Sequence, residues 1–173
     1  MERGCCIFGQ RAEKLPWKYD EERPECKAFK ARLHAEMTDL VKDGVTAFYT
    51  DMSDGVNMIA AEIVLQIKGE MPEKGVRLIG VLPHEEQAAH WTVSLRERYF
   101  NAMAHADEEV LISSRFTKTC YRDSMQYMMS NSTHMIIVIN GNIGRMQPIV
   151  DSGNDKGMKI SIIDIGELSR EKC

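Results

Sequence analysis

The apolar residues of this chain fall into short continuous runs that alternate with longer amphipathic segments. Val45–Thr50 (VTAFYT) is rich in β-branched and aromatic residues, a composition typical of a buried strand. Between Pro24 and Gly44, apolar residues repeat at spacings of three and four, which predicts a helix from residue 24 to about residue 43. The first part of the chain therefore contains both a continuous apolar run typical of a strand and a three–four repeat typical of a helix.

The same two patterns predict the remaining elements. The other predicted strands cover residues 5–9, 76–82, 109–113, 135–140 and 158–163. The other predicted helices cover residues 58–66, 84–106 and 121–130, with a weak short helix within 146–157. The pattern of 84–106 allows a break near residues 92–94, and residues 166–173 are predicted to be a polar tail.

Strands that alternate with helices and lack strict apolar–polar alternation indicate a parallel sheet that is covered on both faces. Right-handed crossovers then make a doubly wound sandwich the leading topology. We therefore expect an α/β protein, with a Rossmann-like, mostly parallel six-stranded sheet and helices on both faces. Residues 1–173 are long enough for one domain with a substantial core, and we expect a single domain.

The turn at residues 51–57 is the first candidate for a binding site. It joins the strand Val45–Thr50 to a strongly helical run, and such a turn aims free helical N–H groups at whatever lies above the carboxyl edge of the sheet. An alternative interpretation is that Gly55 and Asn57 serve only the geometry of the turn and the cap of the helix, with no ligand.

Composition and charge exclude several classes of function. The formal net charge is −4, so neither nucleic acid nor an anionic membrane surface is an expected partner. The apolar runs are too short to span a bilayer, and the first residues lack the apolar stretch of a signal peptide, so we expect a cytoplasmic protein. The five cysteines contain no CxxC pair and the histidines show no metal spacing, so no disulfide framework, metal site or cofactor is expected.

Four loops should meet at the carboxyl edge of the predicted sheet: residues 9–11, 51–57, 113–119 and 140–145. Three of them carry a cation, which is Arg11 in the first loop, Arg115 or Lys118 in the third, and Arg145 in the fourth. Convergent arginines beside helix N-termini suit a phosphate group, because a guanidinium binds two oxygens while backbone N–H groups bind a third.

Four segments resemble motifs of one bacterial family. Residues 6–17 (CIFGQRAEKLPW) resemble its opening CFTGHRPEKLPW, and residues 50–62 resemble SGMALGVDxxAAE. Residues 82–88, followed by Trp91, are similar to PFEEQAxxW, and residues 122–128 are similar to the helix RNRYMV. On these segments, which cover nearly the whole chain in order, the protein resembles the YpsA-like branch of the SLOG superfamily, which is Rossmann-like.

This resemblance implies a function of a broad kind. The superfamily includes the lonely-guy phosphoribohydrolases, the DNA-processing protein DprA and many proteins thought to bind nucleotides or nucleotide-derived signals. Family motif positions are occupied by Gly9, Arg11, Gly55, Glu62 and Gly144. The chain departs from the motifs at Gln10, Asp51, Asp54 and Asn57, and the phosphate turn of the family keeps one glycine in residues 142–146.

We therefore expect a sensor or scaffold that binds a small nucleotide-like molecule. The predicted ligand-binding residues are Gly9, Gln10, Arg11, Asp51, Ser53, Gly55, Asn57, Arg115, Gly141, Gly144 and Arg145. One alternative is a hydrolase of a nucleotide N-glycosidic bond, with Glu62 and Asp54 as catalytic carboxylates. Another is an interaction module whose pocket has decayed, because the turn has gained acids and lost glycines. The turn could also contact a ribose hydroxyl or a cationic group instead of phosphate.

The aromatic residues support two further expectations. Residues 84–106 carry Trp91, Tyr99 and Phe100, more apolar surface than one covering helix needs, so we expect a homodimer through this helix. Trp17 and Trp91 are candidates for the wall of a base-binding site, although such residues are more often core or dimer contacts.

Overall fold

A computed structural model describes residues 2–170 of the chain. These residues form six strands: β1 (Arg3–Phe8), β2 (Val45–Thr50), β3 (Arg77–Leu82), β4 (Glu108–Leu111), β5 (His134–Ile139) and β6 (Lys159–Asp164). They also form six α-helices: α1 (Pro24–Lys42), α2 (Val56–Glu70), α3 (Val93–His105), α4 (Cys120–Ser130), α5 (Gln147–Asp155) and α6 (Ile165–Arg170). Short 3₁₀ turns lie at Ala12–Lys14, Pro72–Lys74 and Gly144–Met146.

The six described strands form one parallel sheet in the order β4-β3-β2-β1-β5-β6. From the central β1 the chain winds outward to β4, then crosses to β5 and β6 on the other side. The direction of winding therefore reverses between β1 and β5, and loops that leave their carboxyl ends frame a crevice. This topology confirms the predicted Rossmann-like doubly wound fold.

The sheet separates two apolar cores, so neighbouring residues of β1 point in opposite directions. Cys5 packs in the larger core with residues of α1, α2, α3 and α6, while Cys6 packs in the smaller core with Met128 of α4 and Val150 of α5. Helices consequently cover both faces, as the continuously apolar strands predict.

The predicted helix 84–106 is wrong in its first half. The residues from 83 to 92 form turns, and α3 begins only at Val93. Thr92 caps the helix in an extended conformation, and its hydroxyl accepts a hydrogen bond from the backbone N–H of Leu95 at 3.4 Å. The preceding turns are held instead by buried Gln87, whose side-chain amide donates to the carbonyl of Asp51 at 2.8 Å.

The end of the chain and the start of α4 also differ from the prediction. The stretch predicted as a polar tail forms α6 up to Arg170, and the rest of that tail, residues 171–173, lies outside the described residues. Asp164 supports this helix start, because its carboxylate accepts the backbone N–H of Gly166 at 2.9 Å. Cys120, one residue before the predicted helix 121–130, begins α4 and is buried.

Candidate functional site

The loop after β1 and the start of α2 touch through two glycines. A Cβ on Gly9 would lie 2.6 Å from Val56, and a Cβ on Gly55 would lie 2.5 Å from the carbonyl oxygen of Gln10. The N–H of Val56 donates to the same carbonyl at 3.1 Å. The first N–H group of α2 is therefore bound by the protein itself, and Gly55 has a structural role that requires no ligand.

The turn after β2 is held by its own side chains. Thr50 donates its hydroxyl hydrogen to the carbonyl and side-chain oxygens of Asn57 at 3.0 and 3.1 Å, and its hydroxyl oxygen accepts the N–H of Met52 at 3.2 Å. Met52 has a left-handed φ of 61°, which is costly for a residue with a side chain. Buried hydrogen bonds thus impose a shape on this turn that the chain would not adopt locally.

Asp51 is buried within this turn. One oxygen of its carboxylate, Oδ1, accepts hydrogen bonds from the N–H and the hydroxyl of Ser53, at 2.8 and 2.6 Å. Burial raises the pKa of Asp51 above its ordinary value, while the bonds from Ser53 and the charge of Arg11 act in the opposite direction. The carboxylate is therefore fixed in orientation at the carboxyl end of β2.

Arg11 and Asp54 join the first two loops. The Nε of Arg11 donates to Oδ1 of Asp54 at 2.7 Å; the Asp54 side chain is 7% exposed and that of Arg11 is 46% exposed. Because this bond uses Nε, both Nη groups remain for other acceptors. The guanidinium also lies beside Tyr121, where it partly offsets the rise in phenol pKa that burial causes.

Arg11 lines three neighbouring cavities formed by the described residues. The first, which we name the polar cavity, has a volume of about 610 Å³ at the crevice between β1 and β5. Its lining includes Gly9, Gln10, Lys14, Asn142, Gly144 and Arg145. It therefore brings Arg11 and Arg145 to the same space, where sequence reasoning expected phosphate.

The second, which we name the apolar cavity, has a volume of about 330 Å³ and lies on the α4 and α5 side of Arg11. Its apolar lining consists of Phe8, Met125, Met146 and Ile149, and its polar lining includes Asp51, Ser53, Asn57 and Tyr121. The third, which we name the outer cavity, has a volume of about 720 Å³ and includes Asp54, Gly55, Trp91 and Arg98.

Glu62, one of the two predicted catalytic carboxylates, lines none of these three cavities. It forms an ion pair with Arg98, which also binds Glu21 in the loop before α1. Burial alone would lower the pKa of Arg98, but its hydrogen bonds to the two glutamates raise it above the ordinary value. The ion pair of Glu62 with Arg98 therefore links α2 to α3.

Two predicted ligand-binding residues also lie apart from the three cavities. Arg115 is exposed in the loop before α4, where its carbonyl accepts the hydroxyl of Ser113 at 2.6 Å. The N–H of Gly141 donates to the carboxylate of Asp164 at 2.8 Å, so it is bound within the protein.

Sequence reasoning named Asp51, Ser53 and Asn57 of the apolar cavity but missed Tyr121 and the apolar lining. Tyr121 and Met125 lie four residues apart on the first turns of α4, and Met146 and Ile149 lie three apart at the start of α5. These spacings were a usable signal, because helix starts in a doubly wound fold follow the carboxyl edge of the sheet.

Among residues 2–170, no group of three histidine, cysteine or acidic side chains is placed to hold a metal ion. Over the same range, none of the helices combines the length and the apolar character needed to cross a membrane.

Comparison with known proteins agrees with this fold and with the motifs. The model of the YpsA family, described as the YspA SLOG family, matches residues 5–166. A UPF0398 protein of Bacillus cereus strain G9842 is 29% identical over 113 residues, and one of Bacillus thuringiensis strain Al Hakam is 28% identical over 113 residues. Each alignment covers 65% of this chain and 58% of the relative, so the chain spans little more than half the length of these relatives. Because the family match extends over most of its length, the chain belongs to the YpsA family of SLOG proteins.

Proposed function

We propose that this protein binds a nucleotide or a nucleotide-derived molecule at the carboxyl edge of its sheet, as a sensor or scaffold. The observation that carries the proposal is the position of Arg11, which lines both the polar and the apolar cavity at the crevice where the winding reverses. Ligands of doubly wound sheets bind at such crevices. A nucleotide needs what these two cavities offer together, a place for charge and a place for an apolar ring.

The polar cavity supports the phosphate end of this ligand. Arg11, Lys14 and Arg145 contribute three cations to its lining, and Glu13 contributes one carboxylate. Asp54 already occupies Nε of Arg11, which orients the guanidinium and leaves its paired Nη groups for phosphate oxygens. On this proposal Asp54 positions Arg11, so the extra acid in the turn assists phosphate binding through the arginine.

We favour binding over hydrolysis because the two candidate acids are already engaged. Asp54 accepts from Arg11, and Glu62, which lines none of the three cavities, accepts from Arg98. A carboxylate that acts on an N-glycosidic bond has to face the anomeric carbon, whereas these two face guanidinium groups. Asp54 and Glu62 therefore serve better as positioning groups than as an acid–base pair.

The proposal predicts a ligand-dependent rise in melting temperature. With AMP, ADP-ribose, NAD and cyclic dinucleotides as probes, a binder at 100 times its dissociation constant adds about 2.7 kcal/mol of stability. Arg11→Lys keeps a positive charge beside Asp54 but loses the planar guanidinium that can bind two phosphate oxygens at once. We therefore expect it to weaken binding by about tenfold or more.

Arg115→Lys is the matched control, because Arg115 is exposed and lines none of the three cavities. We expect it to bind the probes as the unchanged protein does. No shift with any probe at millimolar concentration, or equal losses in Arg11→Lys and Arg115→Lys, would contradict the proposal.

We also propose that α3 mediates a homodimer. Phe100 is 57% exposed on α3, and Val93, Arg96 and Glu97 lie on the same stripe at spacings of three, four and seven residues. A second copy that packs antiparallel would bring Arg96 of one chain towards Glu97 of the other, so the stripe is complementary to itself. Light scattering after size exclusion should then return twice the 19.7 kDa of one chain.

Phe100→Glu should return the mass of one chain, because in the antiparallel pair it places a charge against the apolar Val93 of the second copy. Phe116→Glu is the control, since Phe116 is as exposed but lies in the loop before α4. A monomeric mass for the unchanged protein at micromolar concentration would rule the dimer out.

A further inference from the structure

The walls of the apolar cavity are poorly suited to phosphate or sugar. Phe8, Met125, Met146 and Ile149 surround it with hydrocarbon and thioether groups. A phosphate or a ribose hydroxyl against these walls would lose its hydration without gaining hydrogen bonds. Methionine thioethers pack well on the faces and edges of aromatic rings, so a flat heterocycle fits this lining better.

Asp51 restricts which ligand groups can bind in this cavity. The residue is 9% exposed, and Oδ1 already accepts both hydrogen bonds from Ser53. The other oxygen, Oδ2, accepts no hydrogen bond from the groups that the structure describes, although Asp51 lines the cavity. An ionised carboxylate only accepts, so the group that meets Oδ2 has to donate a hydrogen.

We propose that the apolar cavity binds a nucleobase with an exocyclic amino group, and that Oδ2 of Asp51 accepts a hydrogen bond from that amine. The inference rests on the proposed nucleotide-binding function and specifies which kind of base the apolar cavity prefers. Adenine, guanine and cytosine carry such an amine, whereas uracil, hypoxanthine and unsubstituted purine do not. Unsubstituted purine covers Asp51 and leaves its oxygen dehydrated and unpaired, and hypoxanthine keeps only its ring N–H, one donor fewer than guanine, which is the basis of selection.

The two cavities adjoin each other, as the binding of one nucleotide across both requires. Gly9, Arg11 and Met146 line both the polar and the apolar cavity, so the two are adjacent. A base in the apolar cavity therefore places its sugar beside Arg11 and its phosphate towards Lys14 and Arg145.

Calorimetric titration of the unchanged protein with two matched pairs of nucleotides tests the inference. AMP is compared with purine riboside 5′-monophosphate, and GMP with IMP, so that each pair differs by one amino group. We expect the amine-bearing member of at least one pair to bind about tenfold or more tightly than its partner, as for one hydrogen bond to a charged group.

Asp51→Asn keeps an oxygen for the bonds from Ser53 and removes the charge. It should reduce the preference within that pair to about twofold or less, because the amide NH2 then stands at the position of Oδ2 and donates where the carboxylate accepts. Asp155→Asn is the control: Asp155 is exposed at the end of α5, lines none of the three cavities, and its replacement should preserve the full preference.

The outcomes separate this inference from the function on which it rests. If both members of both pairs bind the unchanged protein with equal affinity, the base selection by Asp51 is refuted while nucleotide binding stands. If no member binds at millimolar concentration, nucleotide binding itself fails. A preference that Asp51→Asn retains in full would also overturn the inference, and the comparison within pairs does not depend on the folding of any variant.

Discussion

Replacement of Gly55 by alanine is expected to destabilise the protein by about 2–4 kcal/mol, the combined cost of backbone strain and overpacking. Gly55 has a φ of 88°, which residues with a side chain rarely adopt. An added Cβ would lie 2.5 Å from the carbonyl oxygen of Gln10, 2.6 Å from the N–H nitrogen of Ala12 and 2.7 Å from the carbonyl carbon of Arg11. All three are backbone atoms, so the loop that carries Arg11 has to move.

Gly75→Ala is the control that measures the cost of backbone strain without a steric clash. Gly75 has a φ of 64°, and no heavy atom of the described residues lies within 4 Å of the position that a Cβ would take there. We expect this variant to lose only about 1 kcal/mol, the cost of the left-handed backbone alone. Urea unfolding of both variants measures the difference, and equal losses would show that the contact between the first loop and α2 is not tightly packed.

The same pair of variants connects stability to the site. Because the displaced atoms belong to residues 10–12, Gly55→Ala should also weaken nucleotide binding at a temperature where it remains folded, whereas Gly75→Ala should not. The thermal-shift probes used for Arg11 give this measurement directly. If Gly55→Ala bound nucleotide with full affinity, ligand binding would not depend on the geometry of the loop at residues 10–12.

Trp17→Ala is expected to cost about 3–5 kcal/mol, because it removes a large side chain from a close-packed core. Trp17 is 2% exposed and stacks on Phe29 of α1 with ring centroids 5.5 Å apart. It pins the loop after β1 to the first helix. Of the two roles that the sequence left open for Trp17, the structure therefore places it in the core.

Trp91→Ala is the contrasting variant. Trp91 is partly buried, contacts the ring of Tyr99 at 5.6 Å between centroids and lines the outer cavity. We expect a loss of about 1–2 kcal/mol, since its removal opens the surface and leaves no enclosed void. Denaturant unfolding of the two variants side by side decides this, and a smaller loss for Trp17→Ala than for Trp91→Ala would show that Trp17 is not a core residue.

The sheet and most of its helices could be predicted because their signals are local. Val45–Thr50 is a strand with the predicted bounds, and α1 ends one residue before the predicted end. Continuous apolar runs indicated a sheet covered on both faces, and the right-handed crossover rule then restricted the topology. The first half of the helix predicted at residues 84–106 is wrong because apolar spacing reports burial, and turns can bury side chains as well as a helix can; the second half is α3, which begins at the predicted break.

Part of the site was also predictable. Gly9, Gln10, Arg11, Gly144 and Arg145 line the polar cavity, as expected from loops that leave neighbouring parallel strands. Arg115 shares none of the three cavities, because β4 lies at the edge of the sheet, three strands from β1. The order of strands, which local pattern does not encode, decides which loops become neighbours.

The sequence by itself determined the alternation of strands and helices, the two faces of the sheet and the loops that gather at its carboxyl edge, since periodicity, glycine positions and chain connectivity act over short distances. Only the tertiary structure decided what each charged side chain does there. Arg11 meets Asp54 across 43 positions, and Glu62 meets Arg98 across 36. Such pairs depend on how α2 packs between its neighbours. The sequence shows that a carboxylate is present, but it does not show whether that carboxylate faces a ligand or an arginine.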